Sequence, residues 1–257
     1  MGIRGKMKTI EIVTHCYSGD EVPIYHHLLR HQLASLAEVH KDGIEVTLSV
    51  YFNRQDMATV DVLKDFVLPR ENRDVTSGPL RINPCHLEKE ALFRRAIGRN
   101  RAACLTSADV VWFTDVDYCF FRDSLKDAYY ECLGAEENMV FPQYVNIHEK
   151  HEYGDELIND PSKPIDLTKF VLRREKRAIG GIQIVKGDWC RKNGYLKGTK
   201  WTKGVDPSQG FRSCKGDVPF RKQVGPSKAA AILDVYRIRH SRAGRDGGTV
   251  DHGAKTK

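Results

Sequence analysis

Two acids, Asp115 and Asp117, stand one residue apart in the run "WFTDVDYCF" (112–120), among side chains that otherwise suit burial. If the run is a single strand, the two carboxylates project from one face, about 7 Å apart. Unpaired carboxylates are too costly to bury, so a cation or strong hydrogen-bond donors must stand beside them. A hard divalent ion, Mg2+ or Mn2+, meets that need, since such ions take oxygen ligands and are often held by one or two carboxylates together with substrate phosphates. The bland alternative is a solvated turn. It matches poorly a pair that ends a strongly apolar run and is followed by aromatics.

The elements that must position this pair follow from periodicity. "KTIEIVTHCY" (8–17) is rich in β-branched residues and reads as a first strand. "IYHHLLRHQLASLAEV" spaces Ile24, Leu28, Leu29, Leu33, Leu36 and Val39 as an amphipathic helix, closed by Gly43, and "IEVTLSVYFN" (44–53) reads as a second strand. Strand, helix and strand make a βαβ unit, which predicts a parallel sheet. A short helix is expected around "MATVDVLKDFV", then the turn-prone "TSGPLRINP", then a long helix from Glu88 to Ser107 with Gly98 inside it. "DVVWFTDVDYCFF" follows as a strand apolar on both faces in its first half, as in the middle of a parallel sheet. The acids therefore arrive at its C-terminal end, the edge where open α/β sheets bind ligands. "MVFPQYVNI" (139–147) reads as another strand and 148–178 as a long loop or insertion. "IQIV" is a short strand before a helix starting near Asp188, and the tail beyond residue 240 reads as flexible.

The 257 residues, 40% hydrophobic and 29% charged, suit one soluble α/β domain with a full core. No run of about 18 apolar residues occurs. "MGIRGKMK" lacks the apolar region of a secretory signal and puts Lys6 where a myristoylation signal needs Ser or Thr, so a cytoplasmic protein without a membrane anchor is expected. Seven cysteines without a C-x-x-C pair argue against a disulfide framework or a zinc knuckle. Charge is uneven: residues 1–162 hold 18 Lys/Arg against 26 Asp/Glu, and residues 163–257 hold 23 against 8. A basic half of this kind points to a polyanionic partner such as nucleic acid, or to a solvated basic surface with no specific partner. The phosphate cradles G-x-x-x-x-G-K-[ST] and G-x-G-x-x-G are missing, as is the G-x-S-x-G elbow, which removes P-loop, dinucleotide and serine-hydrolase readings.

"GRNRAACLTSADVVWFTDVDYCF" resembles the central segment of GT-A glycosyltransferases, especially family 2, in which an Arg-Asn helix leads into an apolar strand ending in the metal-binding D-x-D. "AIGGIQIVKGDWCRKNGYL" resembles their acceptor-side segment, and "KGDVPFRK" resembles their later acidic motif. The resemblance implies a GT-A, Rossmann-like α/β domain: 8–147 as the nucleotide-sugar half, 148–240 as a basic acceptor-side half and 241–257 as a tail. It implies that Asp115 approaches the ribose or metal and that Asp117 ligates the Mn2+ or Mg2+ bridging the donor diphosphate. Arg99 would hold nucleotide or sugar, and Thr14 and His15 would sit by the nucleobase. Gly180 and Gly181 would let donor or acceptor approach the backbone, or form an ordinary tight turn. Asp217 would be the base of an inverting transfer, taking the acceptor hydroxyl proton. The motif here carries one acid where the family usually has two, so Asp188 and Asp206 compete. His240 would be a third metal ligand, with Arg237, Arg239 and Arg242 around it suited to phosphate. Trp189 and Trp201 are candidates for stacking on a sugar or base, or for core packing.

The sequence therefore reads as a metal-dependent glycosyltransferase using a nucleotide-sugar donor. Its basic half makes a hydroxylated base in DNA one acceptor, resembling phage enzymes that decorate modified DNA by flipping the target base out of the duplex. A glycan, lipid-linked sugar or protein hydroxyl remains open. The competing readings are a nucleotidyltransferase with a similar acid pair and a noncatalytic nucleic-acid-binding protein. Oligomeric state is not legible.

Overall fold

The computed structural model describes residues 7–17, 25–67, 80–148, 160, 163–203 and 216–238. The chain opens with β1 (Lys8–His15), α1 (Tyr25–Glu38), β2 (Ile44–Phe52), α2 (Met57–Val67) and β3 (Leu80–His86). Next come α3 (Lys89–Leu92), α4 (Arg95–Leu105), β4 (Val110–Phe113), β5 (Tyr118–Phe120), α5 (Ser124–Gly134), β6 (Met139–Pro142) and β7 (Tyr144–His148). The last elements are β8 (Phe170–Arg174), β9 (Gln183–Lys186), α6 (Gly187–Asn193), α7 (Asp217–Val224), β10 (Ser227–Ala230) and β11 (Val235–Arg237). Seven strands form the central sheet in the order β10-β6-β9-β4-β1-β2-β3, and four form a smaller one, β5-β11-β7-β8.

The βαβ expectation holds: β1 runs parallel to β2 and to β4, and β2 parallel to β3. Every residue of β4, Val110 to Phe113, is buried, which matches a strand covered on both faces. β9 is antiparallel to both β4 and β6. That reversal gathers the site. The C-terminal ends of β1 and β4 and the chain entering β9 all reach one edge of the central sheet, so residues 14–15, 114–117 and 180–182 meet there.

Several expected elements are divided. The run 109–121 is not one strand. It leaves the central sheet after Phe113, turns with the Tyr118 N–H donating to Asp115 O at 3.2 Å, and enters the small sheet as β5. The run 139–147 likewise splits at Gln143 into β6 and β7, and residues 227–237 into β10 and β11, so three strand pairs cross between the sheets. The long helix 88–107 breaks after α3, because Arg94 adopts a non-helical backbone (φ −98°, ψ 80°). Gly98 lies inside continuous helix, where a Cβ would collide with His15 and Tyr51. Part of the expected loop 148–178 is β8, paired antiparallel with β7. β3 replaces part of the turn-prone stretch; Pro84 is tolerated because β3 is the outer strand. The expected tail lies outside the described residues, as do Asp206, Arg239, His240 and Arg242. No helix among the described residues is long and apolar enough to cross a membrane.

Candidate active site

The sheet edge carries an ion-pair cluster built on Arg99. Its side chain is fully buried, in the middle of α4, so its charge requires partners. Nη1 donates to Asp217 Oδ1 at 3.0 Å and to the Tyr195 hydroxyl at 3.1 Å. Nη2 reaches Gly180 O at 2.8 Å, Asp115 Oδ1 at 3.0 Å and Thr114 O at 3.2 Å. Arg95, one helical turn earlier on the same face, also donates to Asp115 Oδ1, and its Nη2 lies 3.8 Å from Asp217 Oδ2. Burial pushes the Asp115 carboxyl toward a higher pKa, but the Arg95, Arg99 and Arg237 guanidiniums outweigh it and hold the group well below the usual carboxylate range.

Asp117 pairs with a different arginine. Its side chain is 5% exposed, and Oδ2 accepts from Arg237 Nε at 3.0 Å. The expectation of two carboxylates projecting from one strand face is corrected here: the acids lie in a turn, with Asp115 paired to Arg95 and Arg99 of α4 and Asp117 to Arg237 of β11. The turn forms where each acid finds a guanidinium. Asp117 in turn holds Arg237 far into its charged form. Three carboxylates, Asp115, Asp117 and Asp217, thus face three guanidiniums, Arg95, Arg99 and Arg237.

Asp217 opens α7. Tyr195 Oη stands 3.2 Å from its Oδ1 and equally 3.2 Å from Gln183 Oε1, with its ring stacked on Phe220 at 3.7 Å. Oδ2 lies against Gly180, so close that any Cβ there would collide with it. Gly181 is confined in the same way by the Tyr118 ring, and its carbonyl accepts from Trp112 Nε1 at 3.3 Å. Both glycines serve close packing of the site's own side chains.

Thr14 and His15 end β1 and are buried, and neither Thr14 Oγ1 nor either His15 ring nitrogen has a hydrogen-bond partner among the described residues. His15 stacks on Tyr51 with centroids 5.1 Å apart and touches Gly98. Burial first, then Arg99 and Arg95, lower its pKa well below the ordinary histidine value, so it stays neutral. Asp188 is not drawn into the cluster; its Oδ1 accepts from the Trp189 N–H within α6. Trp189 packs edge-on against Phe220, and Trp201 is partly buried against the core.

No protein-family model matches the sequence, and no curated protein matches it. Solved structures do. S. aureus TarS 1–349 in complex with UDP-GlcNAc superposes with a TM-score of 0.57 over 95% of this chain and 62% of that one, at 12% identity. The same TarS fragment with UDP gives 0.49 over 91% and 57%, at 15% identity. Mannosyltransferase PcManGT from Pyrobaculum calidifontis, in complex with GDP-Man and Mn2+, gives 0.48 over 90% and 56%, at 14% identity. The chain therefore spans less than two thirds of the structures it matches. The first superposition, with the strand order, decides the architecture. This chain has the GT-A fold.

In this GT-A domain the residues fit a divalent ion in part. Asp117 Oδ1 is buried without a partner, an open oxygen of the type Mg2+ or Mn2+ takes. Asp115 already spends Oδ1 on two arginines, and among the described residues no three His, Cys, Asp or Glu side chains converge as a cage. Substrate phosphates would have to complete the shell. Sequence reasoning missed Arg95, Tyr118, Tyr195 and Gln183. Arg95 was findable as the i−4 neighbour of Arg99 on one helix face, whereas Tyr195 and Gln183 reach the cluster only through tertiary packing.

Proposed function

We propose that this protein transfers a sugar from a nucleotide-sugar donor to a hydroxyl acceptor at the edge where β1, β4 and β9 meet. The observation that carries the reading is the balanced cluster of Asp115, Asp117 and Asp217 with Arg95, Arg99 and Arg237, set at the ligand-binding edge of a GT-A fold. The TarS fragment that superposes on this chain is in complex with UDP-GlcNAc, a nucleotide sugar, which agrees with such a donor.

The donor diphosphate lies along the acid-bearing turn, with Arg95 and Arg237 as the guanidiniums nearest its oxygens. Thr14 and His15, both enclosed at the end of β1, would back the nucleoside site rather than touch the donor. Asp117 and Asp115, with His240, would hold Mn2+ or Mg2+, which when bound stabilises negative charge on the departing diphosphate. Asp217, oriented through Oδ1 by Arg99 and Tyr195, keeps Oδ2 for the acceptor hydroxyl proton. The acceptor oxygen bonds to the anomeric carbon as the bond from that carbon to the phosphate oxygen breaks, which predicts inversion. Arg99 is enclosed, so it acts by orienting Asp115 and Asp217.

The excess of basic residues beyond position 162 favours a polyanionic acceptor, with a hydroxylated base in DNA as the specific reading. A thermal-shift screen of UDP-, GDP-, CMP- and TDP-sugars with Mn2+ tests the donor, because a ligand that binds only the native state raises its melting temperature. One donor is expected to stabilise the wild type and not Asp117→Asn. No shift with any donor, or an undiminished shift in the variant, would overturn the reading. Mass spectrometry of hydroxymethylated DNA, glycans and peptides incubated with that donor identifies the acceptor; an added hexose-like mass on DNA is the expected result.

A further inference from the structure

The turn between Asp115 and Tyr118 is held from outside its own sheet. β5 is the terminal strand of the small sheet and pairs with β11 on one side only, so on its other side backbone groups that a neighbouring strand would satisfy need other partners. α1 supplies them with side chains. Gln32 Nε2 donates to Tyr118 O at 2.9 Å and to Asp115 O at 3.1 Å. Ser35, at i+3 on the same helix face, accepts from the Phe120 N–H at 3.1 Å. A donor opposite one residue's carbonyl and an acceptor opposite the N–H two residues on is what a strand backbone offers. Here two helix side chains offer it.

Gln32 occupies the apolar face of α1 beside Leu28, Leu29, Leu33 and Leu36 and is entirely buried. Both atoms it faces are carbonyl oxygens, so its amide nitrogen must be the group turned toward them. Its Oε1 has no hydrogen-bond partner among the described residues. A leucine would continue the stripe without that cost, so packing does not explain the amide. What the amide does is tie both ends of the four-residue turn that bears the two acids.

We infer that Gln32 is a positioning residue for donor binding: through Asp115 O and Tyr118 O it fixes the turn so that Asp115 faces α4 while Asp117 faces β11. The inference rests on the reading that this turn receives the nucleotide-sugar donor. Gln32→Met keeps length and apolar packing and removes both donated bonds. The support these bonds give the turn is of the kind that, around metal sites, is worth about ten- to a hundredfold in affinity or activity.

The experiment measures donor KM, kcat and melting temperature for the wild type, Gln32→Met and Ser35→Ala, with hydrogen exchange followed across residues 114–121. Gln32→Met is expected to raise donor KM about tenfold or more, with faster exchange confined to that segment. A lowered melting temperature with donor KM within about twofold of wild type would show a structural role alone and overturn the inference. If Gln32→Met fails to fold, Ser35→Ala, which frees the Phe120 N–H, is read by the same two criteria. If the wild type itself binds no nucleotide sugar, the proposed function falls, and hydrogen exchange alone then judges the positioning claim. Exchange unchanged at 114–121 would end it.

Discussion

Arg99 carries a buried positive charge whose partners are two acids, a phenol and two carbonyl oxygens. Removing it leaves Asp115 to Arg95, and Asp217 to Tyr195 and the more distant Arg95, both in a partly enclosed setting. Breaking a buried ion pair from one side costs about 3–5 kcal/mol, and the partial exposure of both acids argues for the lower end. Arg99→Met is therefore expected to lower the melting temperature by roughly 6–12 °C, measurable by scanning calorimetry. Arg99→Lys should recover only part of this, since one ammonium cannot span acceptors on four separate chain segments. At this scale the sequence was informative about what must be paired and silent about with what. Asp115 and Asp117 announced a cation by their apolar setting, and the structure answers with guanidiniums. Gln32 went unremarked in the sequence although it interrupts a leucine stripe, and its partners lie more than 80 positions away.

α4 shows how one element serves the site twice, presenting Arg95 and Arg99 on one turn and a gap at Gly98 for His15. Alanine in an exposed helix would be favoured over glycine by about 1 kcal/mol. Here the added methyl meets the His15 and Tyr51 rings, and overpacking of this kind costs about 1–3 kcal/mol. Gly98→Ala is thus expected to destabilise despite the better helix former, and to weaken donor binding by displacing His15; denaturant unfolding and donor titration check the two effects. The β1–α1–β2 unit was legible because each of its periods persists through a whole element. The crossings at 114–117 and at Gln143 were not, because the flanking strands are wholly or mostly buried and an apolar run looks the same whether it stays in one sheet or passes into the next. β3 was hidden by Pro84 and by its half-exposed pattern, both features of an outer strand.

For the whole molecule, pH separates two groups of side chains. His15 is held neutral, with its pKa well below 6.5, and burial lowers His26 to about 4. The unfolded chain binds protons at these positions first, so stability is full above about pH 6.5 and declines as pH falls below it. Asp115 acts in a lower window: its native pKa is depressed, so its contribution is present above about pH 3.9 and is lost as pH falls through the native value. Melting temperature is expected to fall in two stages on acidification, and His15→Gln should flatten the first; a single decline confined below pH 4 would contradict the assignment. The three strand crossings have a mechanical consequence. A lobe joined by one hinge can swing, but one sewn to its neighbour by three short stitches has no free axis, and the acids of 115 and 117 lie in one of those stitches. Any relative movement of the two sheets must bend all three crossings at once, and the one at 114–117 carries both acids with it.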